Sequence, residues 1–303
     1  MALDLPELST IDIDGPVRYR TWDGPDAATF VLIHGLGGSH LNWVQVAPGL
    51  SGLGRVLALD LPGFGYSPRA GRGSGLMDER RSLARFVHEL ATGDVVVCGN
   101  SMGGAIGILQ AAVEPDVVSG LVLTSSVLPW VRGRYPHPLV MGAFTLYDTA
   151  GAGEKLVRTR MRRMSPEQAV RLGYRMATVD PGSIPDELIQ LNIDLVRSRQ
   201  DDPDAPGAFV DAARSLLRLG KRPDVVARAI GGIHCPVLVL HGRRDRFVPA
   251  AFAEAALREH PTWRGRIFPD LGHAPQMEAP GRWLAEVADW YAGHVAGRSA
   301  GPR

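Results

Sequence analysis

The stretch Val95–Ala105, VVVCGNSMGGA, decides how the rest of the chain is read. A run of valines ends in Gly99, and Ser101 then stands between two glycine positions, Gly99 and Gly103, before an Ala/Ile/Leu segment begins. The spacing is G-x-S-x-G at a strand-to-helix junction. A turn this tight leaves no room for side chains on either side of the serine. It lifts the hydroxyl above the sheet edge, where the N-terminus of the following helix aims free N–H groups. A serine that only caps the helix is the plainer reading, but the apolar strand before it and the helix after it are the context the reactive-serine motif demands.

Working outward, short apolar runs alternate with amphipathic helical patterns. TIDIDG and VRYRTWD read as two early strands with no helix between them, hence an antiparallel hairpin at a sheet edge. TFVLIHG, RVLALDLPG, DVVVCGNS, GLVLTSS, PVLVLHG and RGRIFPD read as strands buried on both faces. DERRSLARFVHELA, MGGAIGILQAAV, AAFAEAALREH and GRWLAEVADWYAGHV are the intervening helices. This alternation predicts an α/β fold: a mostly parallel, eight-stranded sheet with helices on both faces. It breaks once, between about 129 and 230, where GEKLVRTRMRRM, SPEQAVRLGYRMA, PDELIQLNIDLVRSR and FVDAARSLLRLG are helical and no strand run occurs. The expected organisation is therefore a core of residues 1–128 and 231–303 with an all-helical insertion at 129–230.

Composition narrows the function classes. The chain has 303 residues, 45% hydrophobic and 21% charged, with a formal net charge of +1. That balance gives no reason to expect nucleic acid as a partner. The two cysteines, Cys98 and Cys235, stand beside apolar runs and read as buried small residues, not as a disulfide or a metal site. The first ten residues have no basic or apolar leader pattern, and no apolar run approaches the roughly 20 residues of a membrane helix. The expectation is a cytoplasmic protein with no cofactor, no metal and no membrane segment, and no signal for an oligomeric state. The tail beyond Trp290, ending GRSAGPR, is expected to fray.

A serine becomes a nucleophile only when a base takes its proton. Of nine histidines, two stand at carboxyl ends of predicted strands with a claim to that role: His273 in FPDLGHAPQMEAP and His241 at the end of PVLVLHG. The plainer reading of His241 is a strand-end residue bonded to backbone. His88 reads as a surface residue in a helix. The orienting carboxylate has three candidates. Asp245 in HGRRDRFVP follows a strand; Asp60 begins a Pro-Gly turn and more naturally braces it; Asp270 precedes His273 by three residues. The strand after the serine ends Thr124-Ser125-Ser126 and offers no acid.

The motifs HGLGGS (34–39), DLPGFGYS (60–67), GNSMGG (99–104), GRRDRFVP (242–249) and LGHAPQMEAP (271–280) follow one another in the order of the α/β-hydrolase superfamily, which the chain resembles over nearly its whole length. The resemblance implies Ser101, Asp245 and His273 as nucleophile, acid and base. It implies the backbone N–H groups of Leu36 and Met102 as the oxyanion hole, with His34 bracing the Leu36 loop, and residues 129–230 as a helical cap. Apolar cap residues, Trp130, Phe144 and Tyr147 among them, are expected on the substrate pocket; the cap arginines Arg158, Arg162 and Arg163 are expected on solvated faces.

The serine sets the chain apart from the dehalogenase and epoxide hydrolase branches, which use aspartate there. The activity implied is hydrolysis of a small-molecule carboxylic ester with a short or medium acyl group or an aromatic group. One alternative is a carbon–carbon hydrolase of the meta-cleavage type, with which GNSMGG and Asn42-Trp43 are compatible. Against it, Ala274 follows His273 where that branch carries Trp, and HGLGGS replaces its loop. The other alternative is a small-molecule receptor that keeps the triad.

Overall fold

The computed structural model describes residue 3 and residues 5–149 and 151–296. Strands β1 (Ser9–Asp12), β2 (Pro16–Trp22), β3 (Ala28–Ile33), β4 (Arg55–Leu59), β5 (Asp94–Asn100), β6 (Val118–Thr124), β7 (Val237–Gly242) and β8 (Arg264–Phe268) form one sheet in the order β1-β2-β4-β3-β5-β6-β7-β8. The hairpin β1–β2 is antiparallel and β2 joins β4 antiparallel; every later pairing is parallel.

The sheet is buried on both faces because its strands are apolar at both parities. Val31, Ile33, Val95, Val97, Leu121 and Val239 point to one side, against Phe86 and Val87 of α2 (Leu76–Leu90), Ala105 and Ile106 of α3 (Met102–Val113) and Phe252 of a later helix. Phe30, Leu32, Val96, Cys98, Val122 and Leu240 point to the other, against Leu50 of α1 (Ala47–Leu50) and against Trp283, Val287 and Trp290 of the C-terminal helix. This is the two-residue side-chain period of a strand, filled with hydrophobic groups at every step. Strand β8 departs from the expected continuous apolar run. Its first three residues, Arg264, Gly265 and Arg266, are exposed, as suits an edge strand guarded by charge.

Between β6 and β7 run α4 (Pro138–Asp148), α5 (Ala152–Arg163), α6 (Pro166–Ala177), α7 (Asp186–Ser198), α8 (Ala205–Gly220) and α9 (Pro223–Gly231). Two of these, α4 and α9, are absent from the helical patterns picked out in the sequence. Helix α4 has apolar side chains nearly all round and a glycine midway, so it carries no clear stripe; α9 carries one, with Val226 and Ile230 buried and Asp224 and Arg228 exposed, but over only nine residues. The insertion has a small core of its own, Tyr147, Val157, Val210 and Ala213. Its α6 and α7 join the sheet's second core through Val170, Leu188 and Ile193.

Beyond the insertion lie α10 (Ala250–Glu259), α11 (Pro275–Glu278) and α12 (Pro280–His294). Helix α12 continues past Trp290, against the expectation that the chain frays there. Tyr291 and Val295 are buried, with the Tyr291 ring 5.2 Å from Phe30. The GRSAGPR tail, 297–303, and residues 1, 2 and 4 of the N-terminus lie outside the described residues. Cys98 is buried, but Cys235 is only half-buried, because it precedes β7 instead of lying within it. Among the described residues no helix is long and apolar enough to cross a membrane.

Candidate active site

Ser101 sits at the junction of β5 and α3 with φ 55° and ψ −113°, a left-handed conformation that a residue with a Cβ adopts only when its surroundings impose it. The glycines explain how. A Cβ on Gly99 would lie 2.3 Å from the Gly103 carbonyl oxygen, and one on Gly103 would lie 2.2 Å from the Ile33 carbonyl oxygen. The elbow is pinned on both sides: the Ser101 N–H donates to Thr124 O at 2.9 Å, and Gly104 and Ala105 donate to Ser101 O.

The N–H of Met102 is the first of α3 and has no partner within the helix. Neither it nor the Leu36 N–H is hydrogen-bonded among the described residues. Leu36 lies in the glycine-rich loop after β3, brought against the elbow because Gly35 has no side chain: a Cβ there would stand 3.2 Å from Ser101 Cβ. Buried His34 fastens this loop. Its Nδ1 lies 2.7 Å from Gly35 O, and its Nε2 accepts the Leu61 N–H at 3.1 Å. Burial lowers its pKa, which keeps the ring neutral for that acceptor role.

His273, in the loop after β8, has Nδ1 2.8 Å from Oδ2 of Asp245, which follows β7. The acid is fully enclosed. Its Oδ1 accepts the N–H groups of Phe247 (2.7 Å) and Val248 (3.0 Å). Burial alone would raise its pKa, but His273, His241 and the hydrogen bonds together hold it well below the ordinary carboxylate range. His241, the rival base, is buried with Nε2 2.9 Å from Val248 O and 3.2 Å from Asp245 Oδ2. It does not line the cavity described below. It is thus the backbone-bonded strand-end residue, with one further contact to the acid.

The other candidates are engaged elsewhere. Asp60 is buried and ties two loops together, accepting from His40 N–H (2.6 Å), His40 Nδ1 (2.9 Å) and Tyr66 N–H (2.7 Å). Asp270 is exposed and paired with Arg282. His88 is exposed beside Glu114.

Ser101 and His273 open into one cavity of about 750 Å³, whose walls are mostly apolar. Trp130, Phe144 and Tyr147 of the insertion all line it, as does Leu36. The volume falls in the range of small-molecule sites. Of the insertion arginines, Arg158 is tied to Glu154 and the Pro203 carbonyl, and Arg162 and Arg163 are exposed. Arg160, not singled out from the sequence, lines the cavity on the same α5 stripe as Val157 and Met161. Also missed was Asn100, whose buried amide donates to the carbonyls of Thr124 and His273, both at 3.1 Å. It joins the elbow directly to the base loop. Its place beside the serine was the only sequence signal.

The arrangement is that of a hydrolase. A family model of the alpha/beta hydrolase family matches residues 30–287, and the chain belongs to that family. A dihydrolipoyllysine-residue acetyltransferase component of an acetoin cleaving system from Cupriavidus necator is 30% identical over 88% of this chain; the chain spans 64% of that protein's length. A 2-hydroxy-6-oxononadienedioate/2-hydroxy-6-oxononatrienedioate hydrolase from Cupriavidus pinatubonensis is 30% identical, covering 91% of this chain and 92% of its own. A pimeloyl-[acyl-carrier protein] methyl ester esterase from Nitrosomonas europaea is 28% identical over 88% and 95%. Among solved structures, an esterase from Thermogutta terrifontis superposes with a TM-score of 0.71 at 24% identity, covering 95% of this chain and 98% of its own. At that identity the likeness concerns the fold.

Proposed function

We propose that this chain is a serine hydrolase of carboxylic esters, with Ser101, His273 and Asp245 as its triad and residues 129–230 as the cap over the site. The observation that carries the reading is the convergence on one apolar cavity of a serine in a left-handed elbow and a histidine paired to a buried, ionised aspartate. Ser101 Oγ attacks the ester carbonyl carbon while His273 Nε2 takes its proton, and Asp245 steadies the imidazolium. The carbonyl oxygen becomes an oxyanion facing the Leu36 and Met102 N–H groups. Collapse breaks the carbon–oxygen bond, and the alcohol leaves with the proton from His273. Water, deprotonated by the same histidine, then releases the acid and restores Ser101. The apolar walls suit a short or medium acyl chain or an aromatic ring.

A second reading, hydrolysis of a carbon–carbon bond in a ring-fission product, is supported by the relative from Cupriavidus pinatubonensis, matched over nearly its whole length. The test is a panel: p-nitrophenyl esters of rising acyl length, a vinylogous ring-fission dienone and a lactone, each with wild type and Ser101→Ala. The ester reading expects ester turnover that Ser101→Ala lowers by a factor of order 10⁴–10⁶. It also expects an alkyl fluorophosphonate to add once, at Ser101. Turnover of the dienone alone transfers the assignment to the second reading. Flat rates throughout with tight ligand binding point to a receptor, and an adduct elsewhere removes Ser101 as nucleophile.

A further inference from the structure

Glu278, at the end of α11, is a carboxylate with only 9% of its surface exposed. Its two oxygens join parts of the chain that are far apart in sequence. Oε1 accepts the N–H groups of Val179 (2.8 Å) and Asp180 (3.0 Å), in the insertion just beyond α6. Oε2 accepts the N–H of Gly272 at 2.8 Å, and Gly272 immediately precedes His273.

The surrounding backbone is joined in the same sense. The His273 N–H donates to the Ala177 carbonyl at 2.6 Å. Gly272 approaches so closely that a Cβ on it would stand 2.6 Å from that same oxygen. On the acid side, the guanidinium of Arg246, next to Asp245, donates to the carbonyl of Arg175. The segment 175–180 of the insertion is therefore fastened to the loops of both the base and the acid. Tyr174, Met176 and Ala177 of α6 meanwhile line the cavity.

We propose that Glu278 is a positioning residue that acts through His273: by clamping Val179 and Asp180 to Gly272, it uses the insertion to hold the base in register with Ser101. The inference rests on the reading of Ser101 and His273 as nucleophile and base. Three N–H donors converge on the group, so an acceptor-only carboxylate satisfies all of them. A glutamine at 278 turns an NH₂ toward one set of donors and leaves that arm unmade. Misplacement of a reacting group by about 1 Å costs up to about a hundredfold in rate. Loss of the clamp is therefore expected to appear in the chemical step and not in binding.

The experiment compares wild type, Glu278→Gln and Val179→Pro. The proline variant removes one donor from the insertion side and touches neither Ser101, His273 nor the cavity wall. Thr178, with φ −114° and ψ 159°, already has the extended backbone that a following proline requires. Labelling with an alkyl fluorophosphonate, in which Ser101 oxygen displaces fluoride from phosphorus, counts folded sites at its end point and reports nucleophile activation by its rate. The expected result for Glu278→Gln is a fall of about tenfold to a hundredfold in kcat per titrated site on p-nitrophenyl acetate. KM should stay within about threefold, and the labelling rate should fall by the same factor. Val179→Pro should show a smaller loss with the same signature. If both variants keep wild-type kcat and labelling rate per titrated site while Tm drops, Glu278 is structural only and the proposal is overturned. If KM rises while kcat holds, the clamp shapes the cavity instead, and the proposal again fails. Should Glu278→Gln not fold, Val179→Pro decides alone. A wild-type protein that takes no label at Ser101 overturns the nucleophile reading itself, an outcome distinct from equal labelling of wild type and variants.

Discussion

Asp245→Asn tests the candidate triad most directly, because the structure fixes how the new amide must sit. Oδ1 of Asp245 accepts two backbone N–H groups, from Phe247 at 2.7 Å and Val248 at 3.0 Å. In the variant only the amide oxygen can occupy that side, so the NH₂ faces His273 Nδ1, now 2.8 Å from Oδ2. An N–H donor there forces Nδ1 to accept, moves the ring proton to Nε2 and leaves no lone pair for the Ser101 proton. The productive tautomer requires the amide to flip, which orphans two buried N–H groups. At about 2–3 kcal/mol each this costs about 4–6 kcal/mol, or about 10³ to 10⁴ in kcat. His241 keeps its bond to the Val248 carbonyl, so the fold should survive. Stability gives an independent reading. The Asp245 carboxyl is held below its ordinary pKa, so its contribution is present above about pH 4 and fades as pH falls through the depressed value. The Tm advantage of wild type over the variant should therefore be constant above about pH 5 and narrow progressively as pH falls below about 4. The assays are steady-state kinetics on p-nitrophenyl butyrate, with sites counted by phosphonate, and thermal melts across pH. A loss under tenfold in a folded variant would refute the assignment of Asp245 as the orienting acid.

Two further outcomes are expected. Glu79 on α2 is fully buried, both its oxygens lack hydrogen-bond partners among the described residues, and burial raises its pKa well above the ordinary value; because the unfolded chain ionises it near pH 4, wild type loses stability as pH rises from there. Glu79→Gln does not titrate, so its Tm should gain on wild type with rising pH, and a gap that is flat from pH 4 to 8 would show that Glu79 has a partner. Phe144→Ala opens the wall beside Tyr147, whose ring lies 6.1 Å away, and Trp130→Ala opens the wall over Phe252, 5.8 Å away. Each should raise the octanoyl-to-acetyl ratio of kcat/KM by about tenfold if two more methylenes find apolar surface at about 0.8 kcal/mol each; chain-length profiles that overlay in folded variants would refute a selecting role for these walls.

The central strands β3 to β7 were legible in the sequence because a strand buried on both faces is apolar at nearly every position, and such runs stand out from helical spacing. The insertion was legible mainly as a gap between strand runs. Helix α4 within it carries almost no polar face, so periodicity did not register it, and α9 has a buried Val226/Ile230 stripe opposite exposed Asp224 and Arg228 but only nine residues in which to show it. In the site, Ser101, Asp245 and His273 were each marked by a local signal: glycines around a serine, an acid just past a strand, a histidine in a polar loop. Asn100 and Glu278 had no such mark. Asn100 reaches the carbonyl of His273, 173 residues away, and Glu278 reaches Val179 and Asp180, 98 to 99 residues away. Only tertiary structure makes those contacts. An acidic residue in the proline-flanked stretch APQMEAP, Ala274–Pro280, was the one available hint.

The glycine contacts divide the site into two mechanical halves. Gly103 has its α3 backbone against the Ile33 and His34 carbonyls, where a Cβ would come within 2.2 and 2.7 Å. Gly35 packs on Ser101 in the same way. The elbow, the Leu36 loop and the start of α3 are thus one unit of β3, β5 and α3, built from backbone in contact with backbone. Close packing of that kind has no slack, and it over-determines the left-handed Ser101, whose conformation alone costs about 1–3 kcal/mol. Ser101 and the Leu36 and Met102 N–H groups, the proposed nucleophile and oxyanion donors, therefore stand in one half. His273, the proposed base, belongs to the other. His273 is tied to the elbow by one side-chain amide, that of Asn100, and its remaining hydrogen bonds run to Asp245, to Ala177 and, through Gly272, to Glu278. An adjustment between the two halves therefore registers in the spacing of Ser101 and His273, because one of them stands in each half.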